Sequence, residues 1–282
     1  MLEAMRVHFC GTRGSTPVSG AEHLRYGGHT SCVGLAQDGE RPTLVLDAGT
    51  GLQELPLALG GQPFRGTILL GHLHWDHTHG MPFFRSGLLP GHRVDLYLPE
   101  QGEDPEELLA RIMSPPHFPI RPRQLGDGWT FNALSPGHYE FEGFSVEARE
   151  IPHKGGRAFG YRVSDGKGTM AYLSDHSPIA LGPGPDGLGE YHDAAVELVH
   201  DADLLVHDSQ HTAAEFGRLA FLGHSAIEYV VGLAQHANAK RVALFHHDPW
   251  RTDAQIDELV AKQATAPLPV FGAYDGLVVD LP

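Results

Sequence analysis

Cysteine is scarce in this chain, with Cys10 and Cys32 the only two in 282 residues. Two thiols cannot build a disulfide framework, so a reducing compartment, the cytoplasm, is expected. Long hydrophobic runs are missing as well. No stretch of about 18 apolar residues occurs, which excludes a transmembrane helix from the expectations. The opening Met1–Arg6 passes straight into strand-like sequence and lacks the apolar core of a signal peptide. Basic residues are few. Lys plus Arg is 20 against 35 Asp plus Glu, a net charge of −15. Long nucleic acid is a poor partner for such a surface, because its affinity comes largely from phosphate neutralisation. No internal repeat or linker is apparent, so residues 1–282 are read as one domain.

Histidine is abundant instead. Its 20 residues equal the whole Lys plus Arg count. A lone His therefore carries little information, and only His beside other ligand types at strand ends counts. Residues 72–77 read His-Leu-His-Trp-Asp-His, directly after the apolar run Thr67-Ile68-Leu69-Leu70. A strand running into a tight loop can fan His72, His74, Asp76 and His77 around a point. Imidazole and carboxylate suit Zn²⁺ and its first-row neighbours. Four ligands in one loop exceed what one ion needs from it, which hints at two.

Alternating strands and helices fill the rest. The spacing predicts strands over Arg6–Cys10, Cys32–Ala36, Thr43–Leu46, Thr67–Leu70, Val94–Leu98 and Trp129–Ala133. It predicts more over Phe144–Glu150, Ala158–Val163, Thr169–Leu173, Asp203–Val206, Arg241–Phe245 and Leu277–Asp280. Helical periodicity is clearest over Asp104–Met113, Ser225–His236 and Asp253–Ala264. Ser225 with Glu228 has capping-box spacing, and Leu181–Gly189 reads as a Gly- and Pro-rich surface loop. Hairpin-like early strands and helix-alternating late ones argue for two sheets covered by helices. Further ligand types leave the ends of predicted strands: His153, Asp175, and His246 beside His247. A sheet edge that gathers such groups makes a rigid site.

Together these segments resemble the metallo-β-lactamase superfamily over essentially the whole chain. Asp47-Ala48-Gly49-Thr50-Gly51 is similar to that family's Asp-x-Gly turn, whose acid supports the His loop. The resemblance implies an α/β fold, a four-layer αββα sandwich, and a binuclear metal centre. His72, His74 and His153 would hold one ion, Asp76, His77 and His246 the other, and Asp175 would bridge them. His247 is the alternative to His246. Two divalent cations are implied, Zn²⁺ foremost, with Mn²⁺ and iron also served by such ligands.

Leu222-Gly223-His224-Ser225, ahead of the last ligand strand, resembles the tRNase Z-like phosphodiesterase branch. There such a His assists cleavage without binding metal, and an acid orients it. Here those parts fall to His224 and to Asp208 of Val206-His207-Asp208-Ser209, with Asp76 accepting a proton from water. The Gly-rich Cys10–Pro17 segment resembles a loop of that branch, with Thr12, Arg13, Ser15 or Thr16 near a phosphate. The branch's long basic tRNA-gripping arm is missing, and Ala226 replaces an expected Thr. The expected function is a phosphodiesterase acting on cyclic nucleotides or other small phosphodiesters. The alternatives are a lactonase or thioesterase of the same fold, or a tRNA 3′-processing endonuclease. A homodimer is expected by likeness to related enzymes, with no membrane partner. His117, Phe118, Arg121 and Arg123 are further candidates for substrate contact.

Overall fold

A computed structural model describes residues 5–282. Residues 1–4, part of the opening segment read above as lacking a signal peptide's apolar core, lie outside them. Fourteen strands are present among the described residues. In chain order they are β1 (Arg6–Gly11), β2 (Cys32–Ala36), β3 (Leu44–Leu46), β4 (Arg65–Leu69), β5 (Arg93–Pro99), β6 (Trp129–Leu134) and β7 (Gly137–Phe141). They continue with β8 (Phe144–Ile151), β9 (Ala158–Ser164), β10 (Thr169–Leu173), β11 (Leu204–Asp208), β12 (Val242–Phe245), β13 (Val270–Gly272) and β14 (Val278–Asp280). The helices are α1 (Leu55–Ala58), α2 (Pro105–Ala110), α3 (Asp193–Val199), α4 (Ala213–Leu219), α5 (Ile227–His236) and α6 (Asp253–Lys262).

Two seven-stranded sheets result, ordered β14-β1-β2-β3-β4-β5-β6 and β13-β12-β11-β10-β9-β8-β7. Each has an antiparallel and a parallel part. β1, β2 and β3 pair antiparallel, whereas β3 through β6 run parallel. Likewise β7 through β10 are antiparallel and β10 through β13 parallel.

Strand periodicity explains the layering. Alternate residues, such as Val7, Phe9, Val33 and Leu35 of one sheet and Val146, Tyr161, Tyr172 and Phe245 of the other, meet in one buried core between the sheets. The intervening residues point outward. Val45, Ile68 and Leu96 pack under Leu55, Leu108 and Leu109. Ala171, Leu205 and Leu244 pack under Leu198, Val230 and Leu233. Strands apolar on both faces are the mark of sheets covered on both sides. The layers are therefore helix, sheet, sheet, helix. No helix among the described residues is long and apolar enough to cross a membrane.

Two local expectations fail for identifiable reasons. Ser225 does not cap α5, whose N-cap is Ala226 with no side-chain bond. The Ser225 hydroxyl instead donates to the carbonyl of His176, and Glu228 accepts from the N–H of Ala213. Tertiary partners have taken both members of the box. Arg13, expected near a phosphate, is fully buried. Its Nε donates to the carbonyl of Gly27 at 2.8 Å, its Nη1 to that of Arg251 at 2.8 Å, and Asp253 lies 3.6 Å away. It locks loops together behind the site rather than facing a ligand.

Candidate metal centre

Every candidate ligand leaves the end of a strand on the same edge of the sandwich. β4 delivers His72 through His77, β8 delivers His153, β10 delivers Asp175 and β12 delivers His246. The centre thus sits on the seam between the sheets. Asp47, just past β3, has φ of 63°, and His246 has φ of 56°. Such left-handed backbone is uncommon outside glycine and here redirects both side chains inward. Gly14 leaves room for this: a Cβ there would lie 2.4 Å from His246 Nδ1.

The ligand atoms form two adjoining groups, His72, His74, His153 and Asp175, and Asp76, His77, Asp175 and His246. Asp175 belongs to both. Its Oδ2 lies 3.6 Å from His72 Nε2 and 3.4 Å from His153 Nε2, and its Oδ1 lies 3.1 Å from the Nε2 atoms of His77 and His246. His153 Nε2 is 3.3 Å from His74 Nδ1, and His246 Nε2 is 3.1 Å from Asp76 Oδ2. Ligands about 2.0–2.1 Å from a tetrahedral ion stand about 3.3 Å apart, so both groups have the size of a four-coordinate site. His72 Nε2, His77 Nε2 and Asp175 Oδ1 are buried without any hydrogen-bond partner. A fold rarely leaves such atoms unpaired, and a cation at each group would account for all three.

Surrounding bonds fix which nitrogen each imidazole presents. His153 Nδ1 donates to the carbonyl of Gly223 at 2.8 Å and His77 Nδ1 to Asp47 Oδ2 at 2.8 Å, turning each Nε2 inward. Asp47 is itself held by the Gly71 N–H at 2.6 Å, the Tyr172 hydroxyl at 2.7 Å and the Ser174 hydroxyl at 3.0 Å. Burial holds His72 well below the usual imidazole range and lowers His74 and His153, so these are neutral and ready to ligate. At His77 burial also pulls down, yet Asp47, Asp76 and Asp175 outweigh it and raise the group well above its ordinary value. His247 stands apart. Its Nε2 donates to the carbonyl of Ala273 at 2.8 Å, and burial pushes its pKa down to about 3.

His224 lies over this cluster. Its Nδ1 donates to Asp208 Oδ2 at 3.0 Å and is 3.8 Å from Asp175 Oδ2, and its ring stacks on His246 at 4.9 Å. Burial lowers its pKa, but the charge and hydrogen bond of Asp208, with Asp175 and Asp76, raise it to about 9. Asp208, His224 and His246 also approach one another closely enough for a third group. His224 and Asp208 are already bonded to each other, however, which favours a proton-carrying pair. Asp208 is fully engaged, accepting also from the N–H groups of Gln210, Ser225 and His176.

Behind Asp208 runs a chain of imidazoles. His207 Nδ1 donates to the Asp208 carbonyl at 2.7 Å, so its Nε2 must accept from His176 Nδ1 at 3.0 Å. His176 Nε2 must in turn accept from His192 Nε2 at 2.8 Å. Burial lowers all three, keeping them neutral. Sequence reading missed this buttress and Tyr172. The available signal was a His directly after Asp175 and a Tyr in an otherwise apolar strand.

A cavity of about 330 Å³ opens onto the cluster, with Ser15, His74, Trp75, Asp76, Asp175 and His224 among its lining. The Ser15 N–H donates to Asp76 Oδ2 at 2.7 Å, and Gln210 Nε2 donates to the Ser15 hydroxyl at 2.9 Å. A larger cavity of about 940 Å³ includes His29, Glu54 and Leu57 in its walls but no candidate ligand, so the smaller one is the site. His117 and Phe118 line a separate cavity with Phe83. Arg121 pairs with Glu107, and Arg123 approaches Glu106. None of these four reaches the cluster's cavity.

With fold and cluster in place, comparison with known proteins defines the class. A family described as the beta-lactamase superfamily domain matches residues 43–247, and the chain belongs to this metallo-β-lactamase superfamily of metal-dependent hydrolases. Among curated relatives, Ribonuclease Z of Natronomonas pharaonis is 25% identical over 321 aligned positions, covering 99% of this chain and 98% of the relative. Ribonuclease Z of a Cyanothece species is 30% identical over 262, covering 76% and 78%. Within the superfamily the chain is thus tRNase Z-like. Two solved structures share the fold. The metallo-beta-lactamase fold protein YhfI from Bacillus subtilis has a TM-score of 0.72 at 17% identity, covering 99% of both chains. A diphosphatase of the PhnP family has 0.71 at 20%, covering 99% of this chain and 98% of its own.

Proposed function

We propose that this protein hydrolyses small phosphodiesters with two bound divalent cations, Zn²⁺ foremost. The observation that carries the reading is His224, held by buried Asp208 over the ligand cluster with Nε2 left for substrate. Ester or lactone opening has no need of such a pair. His72, His74 and His153 would hold one ion, and Asp76, His77 and His246 the other, and Asp175, which belongs to both groups, would serve both. Such cations supply Lewis acidity toward a phosphoryl oxygen and acidify water. The protein's own groups do the rest. His224 carries a proton at neutral pH and gives it to the departing alkoxide through Nε2. Asp208 keeps the ring oriented and its Nδ1 protonated. Asp76 uses Oδ2 toward Ser15, His77 and His246, leaving Oδ1 for the proton of the attacking water.

Small substrates are favoured over tRNA by charge and by length. The net charge is −15, and neither Lys nor Arg lines the cavity. The alignment with the Natronomonas relative spans 321 positions against 282 residues here, so that relative carries insertions this chain lacks. A second reading, tRNA 3′ processing, is supported by the name those relatives carry. A side-by-side assay separates them, comparing bis-p-nitrophenyl phosphate, 2′,3′-cyclic nucleotides, a tRNA precursor with a 3′ trailer, and a lactone panel. Turnover of the small phosphodiesters without precursor cleavage is expected. Efficient precursor cleavage would transfer the function to the second reading, and lactone opening alone would sink both.

A further inference from the structure

Trp75 lies between two candidate ligands, His74 and Asp76, yet nothing in the fold consumes it. Its side chain is 64% exposed, unusual for a residue that is on average well buried. It lines the same cavity as His74, Asp175 and His224. The indole is nevertheless held in place. Its ring stacks on His79 at 5.6 Å and 17°. Its carbonyl accepts from the N–H groups of Thr78 at 3.1 Å and His79 at 2.9 Å, so the turn that carries it is closed. One planar face is braced by imidazole, and the residue lines the cavity. Trp250 is 87% exposed but does not line this cavity, so exposure alone does not single Trp75 out.

We propose that Trp75 is a stacking platform for the base of a nucleoside phosphodiester, making the substrate class nucleotides rather than phosphodiesters at large. The inference rests on the phosphodiester reading above. The polar lining, His74, Asp76, Asp175 and His224, serves a phosphate and its ions, and Trp75 is the aromatic surface fixed beside it. A π-face accepts any base, with strength rising with ring area, so purines are favoured over pyrimidines. The cavity of about 330 Å³ is at the small end of the roughly 300–1,000 Å³ typical of ligand pockets. A mononucleotide suits it better than a folded RNA.

The test compares adenosine 5′-monophosphate with ribose 5-phosphate, in which an anomeric hydroxyl stands in place of the base, on Zn²⁺-loaded protein. Calorimetry and tryptophan fluorescence give the readouts. The base is expected to tighten binding about five- to a hundredfold and to quench fluorescence. Trp75→Ala should abolish that advantage while leaving ribose 5-phosphate affinity and metal content unchanged. Trp75→Phe should retain most of the advantage but lose the quench, and Trp250→Phe should retain both. Should Trp75→Ala shed metal, Trp75→Leu carries the comparison, with apolar bulk but no ring. Equal binding of the two ligands to the native protein, or equal weakening of both by Trp75→Ala, overturns the stacking role alone. If neither ligand binds, the stacking role falls, while the phosphodiester reading stands or falls on the turnover assay above.

Discussion

At the scale of single residues, the protonation of His224 is the quantity on which the proposed chemistry turns. Replacing it by Ala should lower phosphodiester kcat by about 10²- to 10⁴-fold, the range of a general acid, with metal content unchanged. Lost metal would instead make His224 a ligand. Its pKa of about 9 puts the proton in place at neutral pH. As pH rises through that value the donor is lost, so kcat should fall on the alkaline side. Cations bound alongside repel the imidazolium and bring the limb below 9. Asp208→Asn removes the charge that raises the pKa, and its alkaline limb should sit at lower pH than the native one. An unmoved limb would assign the titration to another group.

At the scale of elements, strands were easier to read than helices. β2 and β10 coincide with their expected ranges, because both faces of those strands are covered and their apolar runs are uninterrupted. β7 and β13 were missed. β7 is an outer strand alternating His138, Tyr139, Glu140 and Phe141, and β13 is three residues long with no fully buried side chain. The short helices α1, α3 and α4 were missed too, having too few turns to show a period. The candidate ligands were legible because each follows an apolar strand. The orientation of Arg13 was not, since a glycine-rich loop gives no sign of which way its side chains turn. Its burial has a measurable consequence. Arg13→Ala would strand the carbonyls of Gly27 and Arg251 and weaken the hold on Asp253. A loss of about 3–5 kcal/mol is expected, as for breaking a buried ion pair, read as a lower urea midpoint. A change within about 0.5 kcal/mol, as at ordinary surface sites, would contradict this keystone role.

At the scale of the whole molecule, charge and metal loading are coupled. Asp47, Asp76 and Asp175 hold His77 protonated well above its ordinary range. A cation must displace that proton to bind Nε2. Apparent metal affinity should therefore rise with pH, about tenfold per unit for each proton released. Competition with a chromophoric chelator between about pH 6 and 8 would show it. Affinity independent of pH would mean that His77 is neutral or does not bind the ion. The seam location of the centre also has a consequence in time. A ribosome releases His72, His74, His153 and Asp175 before His246, and β14, which pairs with β1, after all of them. The loop that carries Ser15 has its register set by Gly14 N–H on the carbonyl of His247 and by His247 N–H on that of Thr12. A growing chain thus brings together the residues proposed for one ion first, and those proposed for the other only once β12 has been made. Catalytic competence would then wait on the strand that carries His246 rather than on the His-rich loop.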